Sequence, residues 1–470
     1  MAHISPSDVD ALRSRVTGTV AEPGSPGYTD AVAIWNGAID RRPSLVVRCA
    51  GGTDVAHALA FAQDRGLEIS VRGGGHGFSG FALTDGGVMI DLTPLKSVHV
   101  DPASQVATAG GGVTWAELDA AGQQHRLAVP GGFISHTGIG GLTLGGGIGW
   151  LTGIAGLSCD NLIGAEVITA DGQILQTSSD QHPDLFWALR GGGGNFGVVT
   201  SFEYRMHRVG PTVNLGLFFV DLDQGAEMLR LAREIAPTLP RDAAMFIGGL
   251  NAPPEPFVPE EYRFRPGFAL LVAGFGDASS HAQLIAPVRD ALGALFELVT
   301  PIPYANLQQM FDPSAPWGIL AYEKAVYLDE MSDGAIGAIT EHQPRKTSGM
   351  SFTPIFCLGG AFAEVADDAT AFGGRRSTRY VVNVAAVAHT QEELDADRQW
   401  ARDYWSALVP HASGVGSYVN FMSEYEEDRV RSAYGPAKYD RLAKIKSQYD
   451  PGNVFHLNAN IPPTRQAADR

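Results

Sequence analysis

The sequence predicts an α+β protein of two domains, because glycine-rich turns crowd the first 200 residues and become sparse after about residue 206. Strand and helix patterns alternate throughout, and glycine usage rises again from about residue 413. We predict a first domain at 1–205, a second at 206–413 built on an antiparallel sheet, and a segment at 414–470 that packs back on the first domain.

Composition excludes several classes of partner. The chain has 470 residues, 44% of them hydrophobic, and a net charge of −17. This charge argues against nucleic acid and anionic membranes, which require basic patches. Three cysteines, Cys49, Cys159 and Cys357, show neither a disulfide framework nor zinc spacing, so no metal site is expected. The N-terminus lacks the charge and hydropathy of a signal peptide, and we expect a cytoplasmic protein, monomeric or homodimeric, without membrane contact.

Local patterns of the first half predict a β-α-β opening. A helix should begin at Ser5 or Ser7 and run to about residue 20. Further elements are strands at 44–48, 67–71, 87–92, 105–109 and 198–204, helices at 53–64, 114–125 and 183–189, and a hairpin at 163–176. In the second half, strands at 215–220, 268–274 and 381–388 alternate with helices at 223–235, 281–295 and 391–408.

A turn after the strand at 67–71 contains five glycines and one histidine, His76, within residues 71–80. Glycine permits positive φ and lets a ligand approach main-chain N–H groups, so the turn predicts an anion cradle beside an imidazole. Its spacing matches neither the Rossmann fingerprint nor the P-loop. A plain strand-to-strand turn is the alternative, and for one turn alone it is favoured.

Two further glycine-rich stretches, at 130–161 and 190–200, change that balance. Three such cradles in one half of a chain indicate a long, extended, anionic ligand.

These motifs, together with Tyr418-Val-Asn-Phe421 and the ending Tyr449-Asp-Pro-Gly-Asn-Val-Phe455, resemble the FAD-linked oxidases of the vanillyl-alcohol-oxidase/PCMH superfamily. The resemblance covers nearly the whole chain and is to the berberine-bridge-enzyme-like branch. Within it, the chain is similar to a bacterial subgroup that includes 6-hydroxy-D-nicotine oxidases and an enterocin-pathway flavoenzyme. It implies a two-domain PCMH-type fold whose second domain roofs the substrate site.

The resemblance implies FAD that is bound covalently by His76 at the 8α-methyl group. It also implies a second link from Cys159 to ring C6, although the two named relatives lack that cysteine, and a buried small residue is the alternative. The residues implied to bind the cofactor are Arg72, Gly73, Gly74, Gly75, His76, Gly77, Gly80, Pro130, Gly131, Thr137, Gly138, Gly140, Gly141, Cys159, Asn195, Gly197, Val199 and Asn458.

For catalysis the resemblance implies that Tyr418 is the base and that Asn420 points to flavin or substrate. A phenol titrates near ~10, so Tyr418 would need donors or positive charge nearby. Substrate-facing candidates are His136, Tyr322, Lys324 and Tyr327, although an amphipathic strand explains the last three equally well.

The implied function is an oxidase that moves hydride from an alcohol, amine or activated C–H bond onto FAD, which dioxygen reoxidises to give hydrogen peroxide. A sugar, an alkaloid-like amine or a polyketide intermediate would all suit as substrate. Alternatives are an oxygen-excluding dehydrogenase, a tailoring enzyme of secondary metabolism that oxygenates through flavin N5, and a non-catalytic flavin binder. Thr137 matches a position near the oxygenating chemistry.

Overall fold

The computed structural model describes residues 4–414 and 416–464. Its strands are β1 (Thr19–Ala21), β2 (Leu45–Arg48), β3 (Ile69–Arg72), β4 (Val88–Asp91), β5 (Val98–Asp101), β6 (Val106–Gly110), β7 (Leu127–Ala128), β8 (Leu162–Ile168), β9 (Ile174–Ser178), β10 (Val198–Arg205), β11 (His207–Arg208), β12 (Thr212–Asp221), β13 (Ala243–Asn251), β14 (Pro266–Gly274), β15 (Phe296–Pro303), β16 (Leu320–Leu328), β17 (Thr353–Cys357) and β18 (Tyr380–Ala388). Its α-helices are α1 (Pro6–Arg13), α2 (Tyr28–Val32), α3 (Gly52–Asp64), α4 (Trp115–Gln123), α5 (Ile139–Gly145), α6 (Thr152–Ala155), α7 (Pro183–Leu189), α8 (Gly225–Ile235), α9 (Ala278–Ala291), α10 (Tyr304–Gln308), α11 (Asp333–His342), α12 (Ala361–Glu364), α13 (Gln391–Leu408), α14 (Glu427–Tyr434) and α15 (Pro436–Tyr449).

The first sheet has the order β1-β2-β4-β3, in which β2, β4 and β3 are parallel. Helix α3 connects β2 to β3, and its apolar face, which includes Val55 and Leu59, is buried in the core beneath this sheet. Strand β3 ends at Arg72, so the turn that carries His76 leaves from the carboxyl end of a parallel strand.

The second sheet is antiparallel, with the order β5-β6-β10-β8-β9. Its core contains Trp115 and Tyr204 and continues through Trp187 of α7 to Leu442 of α15. The C-terminal helices therefore return to pack beside the second sheet.

The third sheet is antiparallel, with seven strands in the order β15-β12-β14-β13-β17-β18-β16. One face packs on helices such as α8 and α13, and the other faces the glycine-rich turns. Side chains alternate along β16: Tyr322 and Val326 join the helix-covered core, whereas Ala325 and Tyr327 join the other.

The predicted two-domain α+β class with a returning C-terminal segment is confirmed, while the boundaries at 205/206 and 413/414 stay predictions. The predicted first helix is too long, because it ends at Arg13. Beyond it, the backbone N–H groups of Thr17 and Gly18 donate to the carboxylate of Asp54, so this stretch is bound to α3 instead of continuing the helix. No helix among the described residues combines the length and apolarity that a bilayer crossing needs.

Candidate functional site

A cavity of about 750 Å³ lies between the glycine-rich turns and the inner face of the seven-stranded sheet. Its wall is formed by residues 73–79, by parts of 132–148, by Gly193 and Gly194, by residues 418–421 and by 457–459. Strands β13, β16, β17 and β18 close the opposite side. All three predicted glycine stretches thus reach one cavity.

Glycine is required where the first two turns meet. A Cβ on Gly74 would lie 2.3 Å from the backbone nitrogen of Gly138, and Gly75 has φ +67°. By contrast, a Cβ on Gly77 or Gly141 would meet no atom within 4 Å, so these two positions have room beside them. The wall can therefore accept a ligand against bare main chain.

His76 is held by aromatic neighbours on the wall. Its ring stacks on Trp35 with 4.6 Å between centroids, and its Nε2 is 3.0 Å from Nδ1 of His136. Burial, with a further contribution from His136, lowers the pKa of His76 to about 3. The imidazole is therefore neutral at physiological pH, the form in which a ring nitrogen can act as a nucleophile.

Tyr418 lies on the same wall with its phenol oxygen held by two donors. The backbone N–H of Gly147 and Nδ2 of Asn420 donate to this oxygen at 2.7 and 2.8 Å. Burial raises the pKa of Tyr418, and these two hydrogen bonds act in the opposite direction. Asn420 is fixed in turn, because its Nδ2 also donates to the carbonyl of Leu142.

The far end of the cavity is formed by Gly193, Gly194, Asn458 and Ala459. Asn195 lies behind this wall, where its Nδ2 donates to the carbonyls of Gly192 and Ala459 and its Oδ1 accepts from the N–H of Ile461. Its amide thus ties the third glycine stretch to the C-terminal segment.

Of the residues predicted to bind the cofactor, about half form the cavity wall. Those on the wall are Gly73, Gly74, Gly75, His76, Gly77, Thr137, Gly138, Gly141 and Asn458, together with the catalytic candidates Tyr418 and Asn420. Those outside it are Arg72, Gly80, Pro130, Gly131, Gly140, Cys159, Asn195, Gly197 and Val199. Arg72 shows why: its guanidinium donates to the carbonyls of Asp30 and Ala31, away from the cavity.

Cys159 lies outside the cavity wall. Its side chain is completely buried, its backbone N–H donates to the carbonyl of Gly146, and its thiol lies 3.8 Å from Asp160. Burial and the Asp160 carboxylate raise the pKa of this thiol, which disfavours the nucleophilic thiolate. Asp160 is itself engaged by Arg376 through two bonds of 2.7 Å.

Three of the predicted substrate residues belong to β16 and do not reach the cavity. Tyr322 accepts from Arg402 of α13, and the ammonium of Lys324 contacts Glu424 and the ring of Trp405. Tyr327 is buried among aromatic side chains. His136 is likewise not on the wall and instead contacts His76.

Wall residues that sequence reasoning missed include Trp35, Glu323 and Asn383, whereas Gly193 and Gly194 belong to the predicted stretch at 190–200. Glu323 lies between Tyr322 and Lys324 on β16, so strand alternation turns its side chain toward the cavity. The alternation of side chains along β16 can be predicted from the sequence. Which of the two sets of side chains faces the cavity cannot.

Much of the remaining wall is apolar and aromatic. It includes Phe133, Ile134, Phe246, Phe311, Met350, Phe352, Phe356, Val387 and Phe421. Phe133 contacts Phe246 and Phe356 with centroids 5.4 and 5.0 Å apart. Such a surface suits planar apolar ligands.

These features fit an extended cofactor such as FAD. One cavity joins a neutral histidine, glycines that leave room beside the main chain, and a tied C-terminal end. The wall supplies close backbone approach for a pyrophosphate and an imidazole for attachment.

Comparison with known proteins agrees with this fit. A family model described as "FAD binding domain" matches residues 43–178, and one described as "Berberine and berberine like" matches residues 417–462. (R)-6-hydroxynicotine oxidase of Paenarthrobacter nicotinovorans is 31% identical over 464 residues, covering 95% of this chain and 97% of the relative. An FAD-linked oxidoreductase of Aspergillus terreus is 39% identical over 496 residues, covering 96% and 94%.

Solved structures of similar fold also include oxidases. Crystalline 6-hydroxy-D-nicotine oxidase of Arthrobacter nicotinovorans is similar with a TM-score of 0.83 and 28% identity, covering 96% of this chain and 98% of that one. Glucooligosaccharide oxidase of Acremonium strictum, which carries a 6-S-cysteinyl, 8α-N1-histidyl FAD, has a TM-score of 0.85 at 23% identity, covering 98% and 100%. This last likeness concerns the fold alone.

Proposed function

This chain belongs to the berberine-bridge-enzyme-like branch of the FAD-linked oxidoreductases, and from that premise we propose that it is an oxidase acting on a small aromatic substrate. The observation that carries the proposal is one cavity in which His76, the paired Tyr418 and Asn420, and an aromatic wall meet. Bound FAD supplies hydride acceptance and reaction with dioxygen, giving hydrogen peroxide.

We propose that His76 is the covalent attachment point and that it is the single one. Bonding of a neutral imidazole to the 8α carbon would replace a C–H bond, with the electron pair taken up by the flavin. The contact with His136 would offer a place for the proton that His76 loses. Cys159 is not on the cavity wall and burial raises the pKa of its thiol, which supports a single link over the second one that the resemblance implies.

Tyr418 takes the substrate proton while hydride leaves. To act as the base, Tyr418 first releases its own proton to solvent, and donation from Gly147 and Asn420 stabilises the resulting phenolate. The phenolate then takes the substrate proton and becomes a neutral phenol again. Asn420 is thus a positioning residue for Tyr418, since both of its N–H donors are already used within the protein.

The aromatic wall favours some of the three candidate substrate classes, which are sugars, alkaloid-like amines and polyketide intermediates. An oligosaccharide needs many polar partners, whereas this wall offers mainly phenylalanine and aliphatic side chains. An aromatic polyketide intermediate or an alkaloid-like amine fits better. The relatives named for 6-hydroxynicotine oxidation also act on an aromatic heterocycle, which supports this choice.

The test of attachment is mass and absorbance of acid-denatured protein, beside His76→Ala and Cys159→Ala variants. We expect one flavin on the wild type and on Cys159→Ala, and none on His76→Ala. Flavin lost from Cys159→Ala, or retained by His76→Ala, would overturn the attachment proposal.

The test of turnover is oxygen uptake on aromatic alcohols, amines and sugars, each repeated anaerobically to follow flavin reduction. Reduction with peroxide formation supports an oxidase. Reduction without oxygen uptake indicates the dehydrogenase alternative, incorporation of oxygen into product indicates the oxygenating one, and bound flavin that no substrate reduces indicates a binding protein. A cytoplasmic location and a monomer or homodimer stay predictions for fractionation and light scattering.

A further inference from the structure

Two buried polar side chains face the cavity from neighbouring strands. Glu323 on β16 and Asn383 on β18 are 1% and 4% exposed, and both form part of the cavity wall. Nδ2 of Asn383 donates to Oε2 of Glu323 at 2.8 Å. The mechanism above uses neither residue.

Each of these residues keeps one atom without a partner. Oε1 of Glu323 and Oδ1 of Asn383 are buried and form no hydrogen bond with any described residue. Leaving such atoms unpaired is costly, so polar groups in protein interiors almost always have a hydrogen-bond partner. A group that enters the cavity is the natural partner for both.

The charge state of Glu323 sets what the pair can recognise. Burial raises the pKa of Glu323 well above that of an ordinary carboxyl, and Lys324, its neighbour in sequence, points to the other face of the sheet toward Glu424. Tyr425, which lies near Glu323, is also uncharged at neutral pH because burial raises its pKa. Burial thus favours the neutral form of Glu323. In that form, with Oε2 accepting from Asn383, the carboxyl proton would lie on Oε1.

We propose that Glu323 and Asn383 bind a neutral hydroxyl group carried on the aromatic substrate. The hydroxyl oxygen accepts from Oε1–H of Glu323, and its hydrogen donates to Oδ1 of Asn383. Phe352 and Phe356 on the same wall pack against the ring. This inference rests on the proposed function for the presence of the aromatic substrate, and it adds the group by which that substrate is anchored.

The first test is ligand binding to oxidised holoenzyme, measured by the change in flavin absorbance. The probes are β-naphthol, its methyl ether and β-naphthylmethylammonium, which share one ring system. We expect β-naphthol to bind about tenfold more tightly than the ether, equivalent to a hydrogen bond of about 1.4 kcal/mol. The cation should bind most weakly. A cation that binds best, or no preference for the hydroxyl, contradicts the proposal.

Variants assign that preference to Glu323. Glu323→Gln keeps an N–H donor and should keep most of the preference, whereas Glu323→Leu should abolish it. Tyr322→Phe, on the opposite face of the same strand, is the matched control and should leave it unchanged. If Glu323→Gln abolishes binding as completely as Glu323→Leu, the carboxylate charge is what matters and the neutral-acid proposal is wrong.

A spectroscopic measurement needs no ligand at all. The infrared difference spectrum between wild type and Glu323→Gln should show the carbonyl band of a protonated carboxylic acid at neutral pH. A carboxylate band in its place overturns the proposal. Neither experiment depends on turnover, so failure of the oxidase proposal would appear in oxygen uptake and failure of the anchor in binding and infrared data.

Discussion

Replacing Lys446 by methionine should separate the segments that form the far end of the cavity. The side chain of Lys446 is fully buried, and its ammonium donates to Asp450 at 2.6 Å and to the carbonyls of Asn195 and Phe455 at 2.7 and 2.9 Å. Methionine preserves most of the volume but removes the charge and all three hydrogen bonds. It leaves Asp450 as a buried carboxylate without its cation.

Breaking a buried ion pair from one side costs about 3–5 kcal/mol, and each orphaned carbonyl adds roughly 1 kcal/mol. The total of about 5–7 kcal/mol, at roughly 2–4 °C per kcal/mol for a domain of the size predicted here, lowers the melting temperature by roughly 10–28 °C. The loss should appear in thermal unfolding followed by circular dichroism. A rise in the fluorescence of the attached flavin should report the same transition, because wall residues 457–459 lie two to four positions after Phe455.

Lys444→Met is the matched control, since Lys444 is exposed on the same helix, α15. A second change, Asp450→Asn in the Lys446→Met background, should restore part of the stability because no charge is then stranded. Equal melting temperatures for Lys446→Met and Lys444→Met would refute the reasoning.

Three further outcomes follow from the geometry. Gly145→Ala would place a Cβ 2.0 Å from Oδ1 of Asn420, so oxygen uptake should fall about a hundredfold while mass still shows attached flavin; unchanged turnover would count against the positioning role. Asn420→Ala removes a hydrogen-bond donor worth about 1.5–3 kcal/mol from the Tyr418 oxygen, and this loss raises the pKa of Tyr418. The pH profile of flavin reduction should therefore move to higher pH by about 1–2 units. A shift to lower pH would exclude Tyr418 as the base. Burial raises the pKa of Asp119 from 3.8 to about 7. Between those pH values the folded state binds more protons than the unfolded state, so the free energy of unfolding falls as pH rises. Asp119→Asn, which still faces Gln308, should flatten urea denaturation midpoints between those pH values, and an undiminished slope would disprove the assignment.

Features encoded by short stretches of sequence could be predicted. The turn at 71–80 has its glycines and His76 within one loop, and the structure brings that loop to the cavity. Tyr418 and Asn420 are also separated by a single residue, so their neighbourhood is local. In each case the chemistry depends on residues that are close in the chain.

The surroundings of Cys159 depend on more than the local motif. The motif fixes the residues on either side, but not which surface of the turn the thiol faces. That depends on the bond from its backbone N–H to the carbonyl of Gly146 and on the position of Arg376, more than 200 residues away, against Asp160. No pattern within the stretch at 156–161 contains this information.

Polar residues around the cavity fall into two groups. Some have side-chain atoms that are all hydrogen-bonded to the protein, and others have a buried atom without a hydrogen-bond partner among the described residues. The resemblance implies that Asn195 binds the cofactor, yet its side-chain oxygen and nitrogen both bind protein backbone behind the cavity. Glu323 and Asn383 carry no motif, but each has a buried atom that the described residues do not satisfy. Because a folded chain rarely buries an unpaired polar atom, such atoms on a cavity wall indicate the position of a missing partner. In the register of β16 on β18, Glu323 lies opposite Ala385, and Asn383 is within reach on the same face. The sequence of either strand alone does not predict that pairing.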